Sequence, residues 1–225
     1  MTKNNLERID SIRLCNAEPR IFVDEDDGRR ESQVWRKELT LERGKLYCVN
    51  AASGTGKTSL CSFIMGVRTD YAGKIYIGAR DAATLSMDEW CALRRRNLSY
   101  LPQELDVFDE LSALDNVLLK NRLTDFRSEQ EIRAMFERLE IDNRIDTPAG
   151  RMSVGQKQRM ALIRALCQPF DFILLDEPVS HLDPYNNERC GAMVTEAAEA
   201  LDAGVIFTSV GAQLIVNKPF IPLNL

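Results

Sequence analysis

The sequence holds one histidine in 225 residues, and its six cysteines, Cys15, Cys48, Cys61, Cys91, Cys167 and Cys190, include no CxxC pair. That spacing excludes a zinc cluster or a disulfide framework, so the cysteines are expected to be reduced thiols, mostly small core residues. Long apolar runs are missing as well. No uninterrupted stretch of Ala, Val, Ile, Leu, Met, Phe, Trp, Tyr or Cys exceeds four residues, against the roughly 20 that a bilayer-spanning helix needs. The first residues, MTKNNLERID, lack the apolar segment of about 7 to 15 residues found in a signal peptide, which points to the cytoplasm. Positive charge is not in excess: 29 Lys+Arg against 34 Asp+Glu leave a net charge of -5, and this excludes a generally basic nucleic-acid binder. Internal repeats, low-complexity tracts and long linkers are absent too.

What remains is an ordinary globular composition, 44% hydrophobic and 28% charged, at a length that fits one large domain or a core with a small subdomain. Short strands are expected at Ile12 and Leu14, at residues 21–23 and at residues 34–41, with DEDDG at 24–28 as a solvated turn between them. They form an antiparallel layer. KLYCVN at 45–50 reads as a buried strand, residues 57–65 as a helix closed by Gly66, and GKIYIG at 73–78 as a further strand. Residues 88–98 read as a helix whose Arg94, Arg95 and Arg96 make a solvated face, followed by extended chain at 99–102. From about 111 to 141 the pattern is helical, with Ser128 and Glu131 as a capping box. Then a helix at about 154–167, the apolar strand DFILLD at 171–176, a helix at about 185–201 and the strand GVIFTS at 204–209 alternate as in a parallel sheet.

AASGTGKTS at 51–59 stands at a turn from strand to helix, where successive backbone N–H groups and the helix N-terminus attract a phosphate. Lys57 would reach the β- and γ-phosphates and the Thr58 hydroxyl would ligate Mg²⁺. Ala51, Ala52, Ser53, Gly54, Thr55, Gly56, Lys57, Thr58 and Ser59 are the candidate nucleotide contacts. Ala51 stands where the usual P-loop pattern has its first glycine. FILLDEP at 172–178 puts two adjacent carboxylates at the C-terminal end of a buried strand, where open α/β sheets bind ligands. Asp176 is expected to hold the Mg²⁺ shell and Glu177 to polarise the attacking water, so the two motifs together define an NTPase.

RMSVGQKQRMALIRAL at 151–166 resembles the LSGGQ signature helix of ABC-type ATPases, YLPQ ending at Gln103 resembles the family's Q-loop, and SHLD at 180–183 its D-loop. Gln103 follows Lys57 by 46 residues, Ser153 follows Gln103 by 50, and Asp176 follows Ser153 by 23. The resemblance runs from about residue 10 to 210. It implies a single ABC ATPase domain over 1–225, an α/β P-loop NTPase fold with a mostly parallel sheet, an N-terminal antiparallel layer and an α-helical subdomain. The RecA-like core would comprise about 1–86 and 168–225 and the helical subdomain about 87–167. It further implies a head-to-tail dimer, with ATP between the P-loop of one subunit and Ser153, Gly155 and Gln156 of the other. Gln103 would contact Mg²⁺, Asp183 would cross the interface, and Phe22 is the candidate for stacking on adenine, with a core phenylalanine as the other reading.

Two departures accompany the resemblance. Val154 replaces the first glycine of the signature, and Ser209 stands where the family has a histidine that contacts the γ-phosphate. The sole histidine, His181, lies in the D-loop, where solvation or interface packing accounts for it, with a substitute reaching across the dimer as the other reading. The expected function is the ATP-binding and hydrolysing subunit of an ABC transporter, most like the lipoprotein-releasing and macrolide-exporter types. It would form a homodimer or heterodimer of ATPase subunits, be peripheral on the cytoplasmic face through a separate permease, and bind no nucleic acid. Segment 105–117 resembles the surface that seats the permease. A soluble ABC ATPase in DNA repair or translation, or a nucleotide-gated subunit with little hydrolysis, are the alternatives.

Overall fold

The computed structural model describes residues 8–23, 32–52 and 54–225; the turn expected at 24–28 and the candidate Ser53 lie outside the described residues. Two sheets form from two kinds of sequence. Strands with alternating burial, β1 Ser11–Pro19, β2 Glu38–Glu42, β4 Tyr71–Ile77 and β5 Arg80–Asp81, make an antiparallel sheet in the order β2-β1-β4-β5. The continuously buried β7 Phe172–Leu175 and β8 Gly204–Ser209 sit inside a parallel sheet, as expected for strands covered on both faces. Its order is β6-β7-β8-β3-β9, with β3 Leu46–Asn50, β6 Leu98–Leu101 and β9 Ile221–Asn224.

Side-chain alternation along the parallel strands divides the interior in two. Phe172, Leu174, Tyr47, Val49 and Ile206 face the antiparallel sheet, α1 Lys57–Ile64 and α2 Met87–Arg96. Ile173, Leu175, Leu46, Cys48, Val205 and Phe207 face the other helices: α3 Ala113–Asn121, α4 Glu129–Arg138, α5 Val154–Leu166 and α6 Pro184–Leu201. Four helices start on serine caps, and Ser86–Glu89, Ser128–Glu131 and Ser153–Gln156 are complete capping boxes. The 87–167 stretch is not wholly helical, since it contributes β6 to the parallel sheet. Cys48, Cys61, Cys167 and Cys190 are buried, while Cys91 is exposed.

Several expectations are corrected. Residues 20–22 form one 3-10 turn after β1 rather than a strand. The second strand begins at Glu38, because Val34 and Trp35 lie in a turn whose N–H groups both donate to Ser32 Oγ. Arg94 is no solvated side chain: its guanidinium donates to the carbonyls of Met65 and Gly66, each at 2.8 Å, and so caps the end of α1. A bulge in β1, with Asn16 at φ 50, presses its carbonyl against Gly73, where a Cβ would lie 2.2 Å from that oxygen. Edge strand β9, absent from the sequence reading, pairs with β3 and tolerates Pro222 because among the described residues no strand pairs with its outer side.

Between β8 and β9 the chain crosses α6 at Gly191, where a Cβ would meet the Ile215 carbonyl at 1.8 Å. Glycine to alanine inside a helix ordinarily stabilises by about 1 kcal/mol. Here the sign reverses: Gly191→Ala is expected to destabilise by about 1 to 3 kcal/mol through overpacking against backbone, measured by urea unfolding. A stabilised variant would disprove the close approach.

Candidate functional site

The site is assembled at the C-terminal edge of the parallel sheet, and register sets its geometry. Leu175 pairs with Phe207 and Asn50 with Ser209, so the residues that follow, Asp176 beside Thr208 and Ala51 beside the Ser209 loop, converge. Thr208 Oγ1 donates to Asp176 Oδ1 at 2.6 Å and accepts the Glu177 N–H at 3.0 Å. Ala51 N–H donates to the Ser209 carbonyl at 3.1 Å. Asp176 is 1% exposed, and its Oδ2 is buried without a hydrogen-bond partner among the described residues.

Beyond β3 the loop turns through Gly54 at φ 82 and Gly56 at φ 101, left-handed conformations suited to glycine. Ala51 is not among the residues with positive φ, so alanine costs no strain in place of the usual glycine. Gly56 offers α1 no side-chain cap, and the first N–H groups of a helix have no partners within it. They are left facing the loop, with the positive end of the helix dipole behind them. Lys57, 5% exposed, donates to the Ala52 carbonyl at 2.9 Å and lies 3.7 Å from Glu177 Oε1. Thr55 Oγ1 closes the turn onto the Ala52 carbonyl. The Ser59 hydroxyl accepts from the Arg68 guanidinium at 3.0 Å.

Thr58 Oγ1 and Gln103 Oε1 lie 3.5 Å apart, both exposed at the mouth of the loop. These oxygens, like the Asp176 carboxylate, are of the hard donor type that divalent cations such as Mg²⁺ prefer. Burial pushes the Cys61 thiol well up, aided by the Asp176 charge, so it stays protonated beneath the site.

Phe22 is half-buried against the loop: a Cβ on Gly56 would stand 3.3 Å from its ring and 3.2 Å from that of Trp35. Trp35, fully buried, donates Nε1–H to the Thr55 carbonyl at 3.1 Å. Its role was hidden in the sequence because Trp35 reads there as part of a strand.

Ser153, Gly155, Gln156 and Asp183 stand apart from the loop, and among the described residues no hydrogen bond joins them to it, whereas Ser209 meets it only through its carbonyl. Ser153 and Gln156 cap the α5 N-terminus reciprocally, with Gly155 behind them against the His181 carbonyl and Val154 52% exposed. Asp183 caps α6, and the N–H of Asn186 holds its carboxyl below the usual range. Ser209 turns its hydroxyl into its own loop, donating to the Ala212 carbonyl at 3.1 Å. His181 is exposed, with Nδ1 2.9 Å from Ser180 Oγ. Gln158, buried on α5, donates to the Glu177 carbonyl at 3.1 Å. It escaped the sequence reading as one more polar residue in the signature helix.

Residues 36–180 match the family model described as ABC transporter. The chain is 28% identical over 203 residues to the lipoprotein-releasing system ATP-binding protein LolD of Shewanella denitrificans, covering 88% of this chain and 86% of the relative. It is 32% identical over 161 residues to the macrolide export ATP-binding/permease protein MacB of Shewanella sp. (strain W3-18-1), 70% of this chain. There it spans only 25% of the relative's length. A solved ATP-binding cassette, dimeric in a post-hydrolysis state with ADP and Pi, shares the fold with a TM-score of 0.73 at 24% identity, over 88% of this chain and 87% of that one.

Among the described residues Lys57 is the cation held inside the loop. Lys57→Ala is expected to weaken ATP binding by roughly 10- to 150-fold, the equivalent of one or more charge-assisted hydrogen bonds, in a fluorescent-analogue titration. Equal affinity in the two proteins would rule out phosphate binding by the loop.

Proposed function

This chain belongs to the ABC transporter family as one of its ATP-binding, ATP-hydrolysing cassettes, and from that premise we propose that it hydrolyses Mg²⁺-ATP in a two-cassette dimer that drives a separate membrane permease. The observation that carries the hydrolytic reading is the pair at the end of β7: a buried Asp176 with one oxygen unpartnered, and Glu177 beside Lys57. Asp176, Thr58 and Gln103 would hold Mg²⁺, which when bound neutralises charge on the β- and γ-phosphates. The loop amides of residues 54–59 and Lys57 bind and orient the phosphates. Glu177 accepts a proton from water as its oxygen bonds to the γ-phosphorus and the bond to ADP breaks, releasing phosphate.

The exposed first turn of α5 supports a composite site, because Ser153, Gly155 and Gln156 offer an uncovered helix N-terminus to the ATP of a second cassette. Phe22 would flank the adenine, and Asp183 would stand at the interface. Ser209 would reach phosphate only by releasing Ala212, so slow turnover is expected where an imidazole is lacking.

The permease reading is supported by a groove of about 430 Å³ beside Gln103. Val67, Phe108 and Leu119, which line it, are 65%, 54% and 41% exposed, an apolar patch of the kind that marks protein contacts. Phe108 belongs to segment 105–117, and Arg164 holds that segment's left-handed start at Leu105 and Asp106 through their carbonyls. Among the described residues no helix is long and apolar enough to cross a membrane.

Glu177→Gln is expected to keep ATP affinity while turnover falls by about 10² to 10⁴-fold, and ATP should then drive the variant into a dimer in sedimentation velocity. Turnover at the wild-type rate would remove Glu177 from the reaction, and a monomer at saturating ATP would remove the composite site.

A further inference from the structure

Glu177 has φ 49, a left-handed backbone unusual for a residue with a side chain. Such a conformation persists only when its surroundings hold it. Both halves of its backbone are held. The N–H donates to Thr208 Oγ1 at 3.0 Å, and the carbonyl accepts from Gln158 Nε2 at 3.1 Å. Thr208 and Gln158 are 1% and 2% exposed, so water does not compete for these bonds.

Gln158 does more than hold one carbonyl. Its Nε2 also donates to Ser180 Oγ at 3.4 Å, and its Oε1 accepts the His181 N–H at 3.2 Å. Three partners fix the orientation of the amide, because the flipped form would set carbonyl against carbonyl at Glu177. Gln158 rides on α5, two residues beyond Gln156 in the turn that faces outward. Behind that turn Gly155 lies against the His181 carbonyl, where a Cβ would be at 3.1 Å. One side chain therefore ties the first turns of α5 to the catalytic peptide and to the segment after it.

We propose that Thr208 and Gln158 are positioning residues that hold the Glu177 peptide so that its carboxylate faces the P-loop, and that Gln158 links this geometry to the signature turn of its own chain. The link rests on the two-cassette reading given above. There, the signature turn of a chain touches the ATP of its neighbour while Glu177 of the same chain acts on its own. Engaging ATP at one site then biases the hydrolytic geometry at the other, and the influence runs both ways.

The test uses the purified full-length chain with Gln158→Leu, Gln158→Glu, Thr208→Val and Thr208→Ser. Gln158→Glu keeps the acceptor for His181 but loses the donor to Glu177. Both Gln158 variants are expected to lower kcat by about 10- to 100-fold, as a small misplacement of a catalytic group does, with ATP-analogue affinity within about threefold of wild type. The Hill coefficient for ATP should fall to about 1. Hydrogen exchange across residues 176–183 should quicken with Tm unchanged. Thr208→Val should lower kcat without changing the Hill coefficient, and Thr208→Ser should restore it. Parallel losses of affinity, Tm and kcat in all three disruptive variants would make the bonds merely structural and overturn the proposal. A Gln158 variant with low kcat and an unchanged Hill coefficient would overturn the link between sites. A wild type with a Hill coefficient of 1, together with a Glu177→Gln protein that stays monomeric, would overturn the two-cassette reading instead and leave the kcat comparison to judge the positioning.

Discussion

Thr208 and Asp176 meet because β7 and β8 run parallel in one register, Leu175 opposite Phe207, and the rest of the site depends on that alignment. A shift by one residue would turn the inward apolar set of each strand to the opposite face and part the hydroxyl from the carboxylate. The register is secured by burial on both faces, with Phe172 and Leu174 on one side and Ile173 and Leu175 on the other. A buried carboxylate is costly unless it is hydrogen-bonded. Asp176 gives one oxygen to Thr208 and keeps the other unpartnered, an arrangement that burial alone would disfavour and a bound cation would relieve.

The aromatic side of the loop works by a different force. Trp35 and Phe22 lie against Gly56, and the indole N–H holds the Thr55 carbonyl. Arg36, which holds both Glu18 and the Phe22 carbonyl, ties this aromatic pair back to β1.

Much of this was legible in the sequence, for physical reasons. The strands β3, β7 and β8 are short unbroken apolar runs, and the loop and the carboxylates stand at their ends, so periodicity and glycine chemistry sufficed. The start of α4 carried its Ser128–Glu131 capping box openly. Other features were illegible because they arise from tertiary contact. Trp35 sits in a turn closed by Ser32, which sequence periodicity reads as a strand. The strand β9 exists because β3 offers it an open edge, not because Ile221–Asn224 has a strong pattern of its own. Arg94 looked solvated until α1 ended beside it. Gln158 and Thr208 are single polar residues on buried elements, and their purpose depends on partners 19 and 31 residues away.

The anchoring of α1 at its far end has a mechanical consequence. Arg94 grips the last carbonyls of this helix, and Lys120, which lines the groove, donates to the carbonyl of Arg94. An eight-residue helix is a stiff rod about 12 Å long, with the glycine loop at one tip and a guanidinium fastening at the other. Pivoting such a rod by about 5° at the fastened tip carries the opposite tip through about 1 Å, comparable with the tolerance of a hydrogen bond. A body wedged into the groove would therefore act on the loop end of α1 as a hand acts on a short lever.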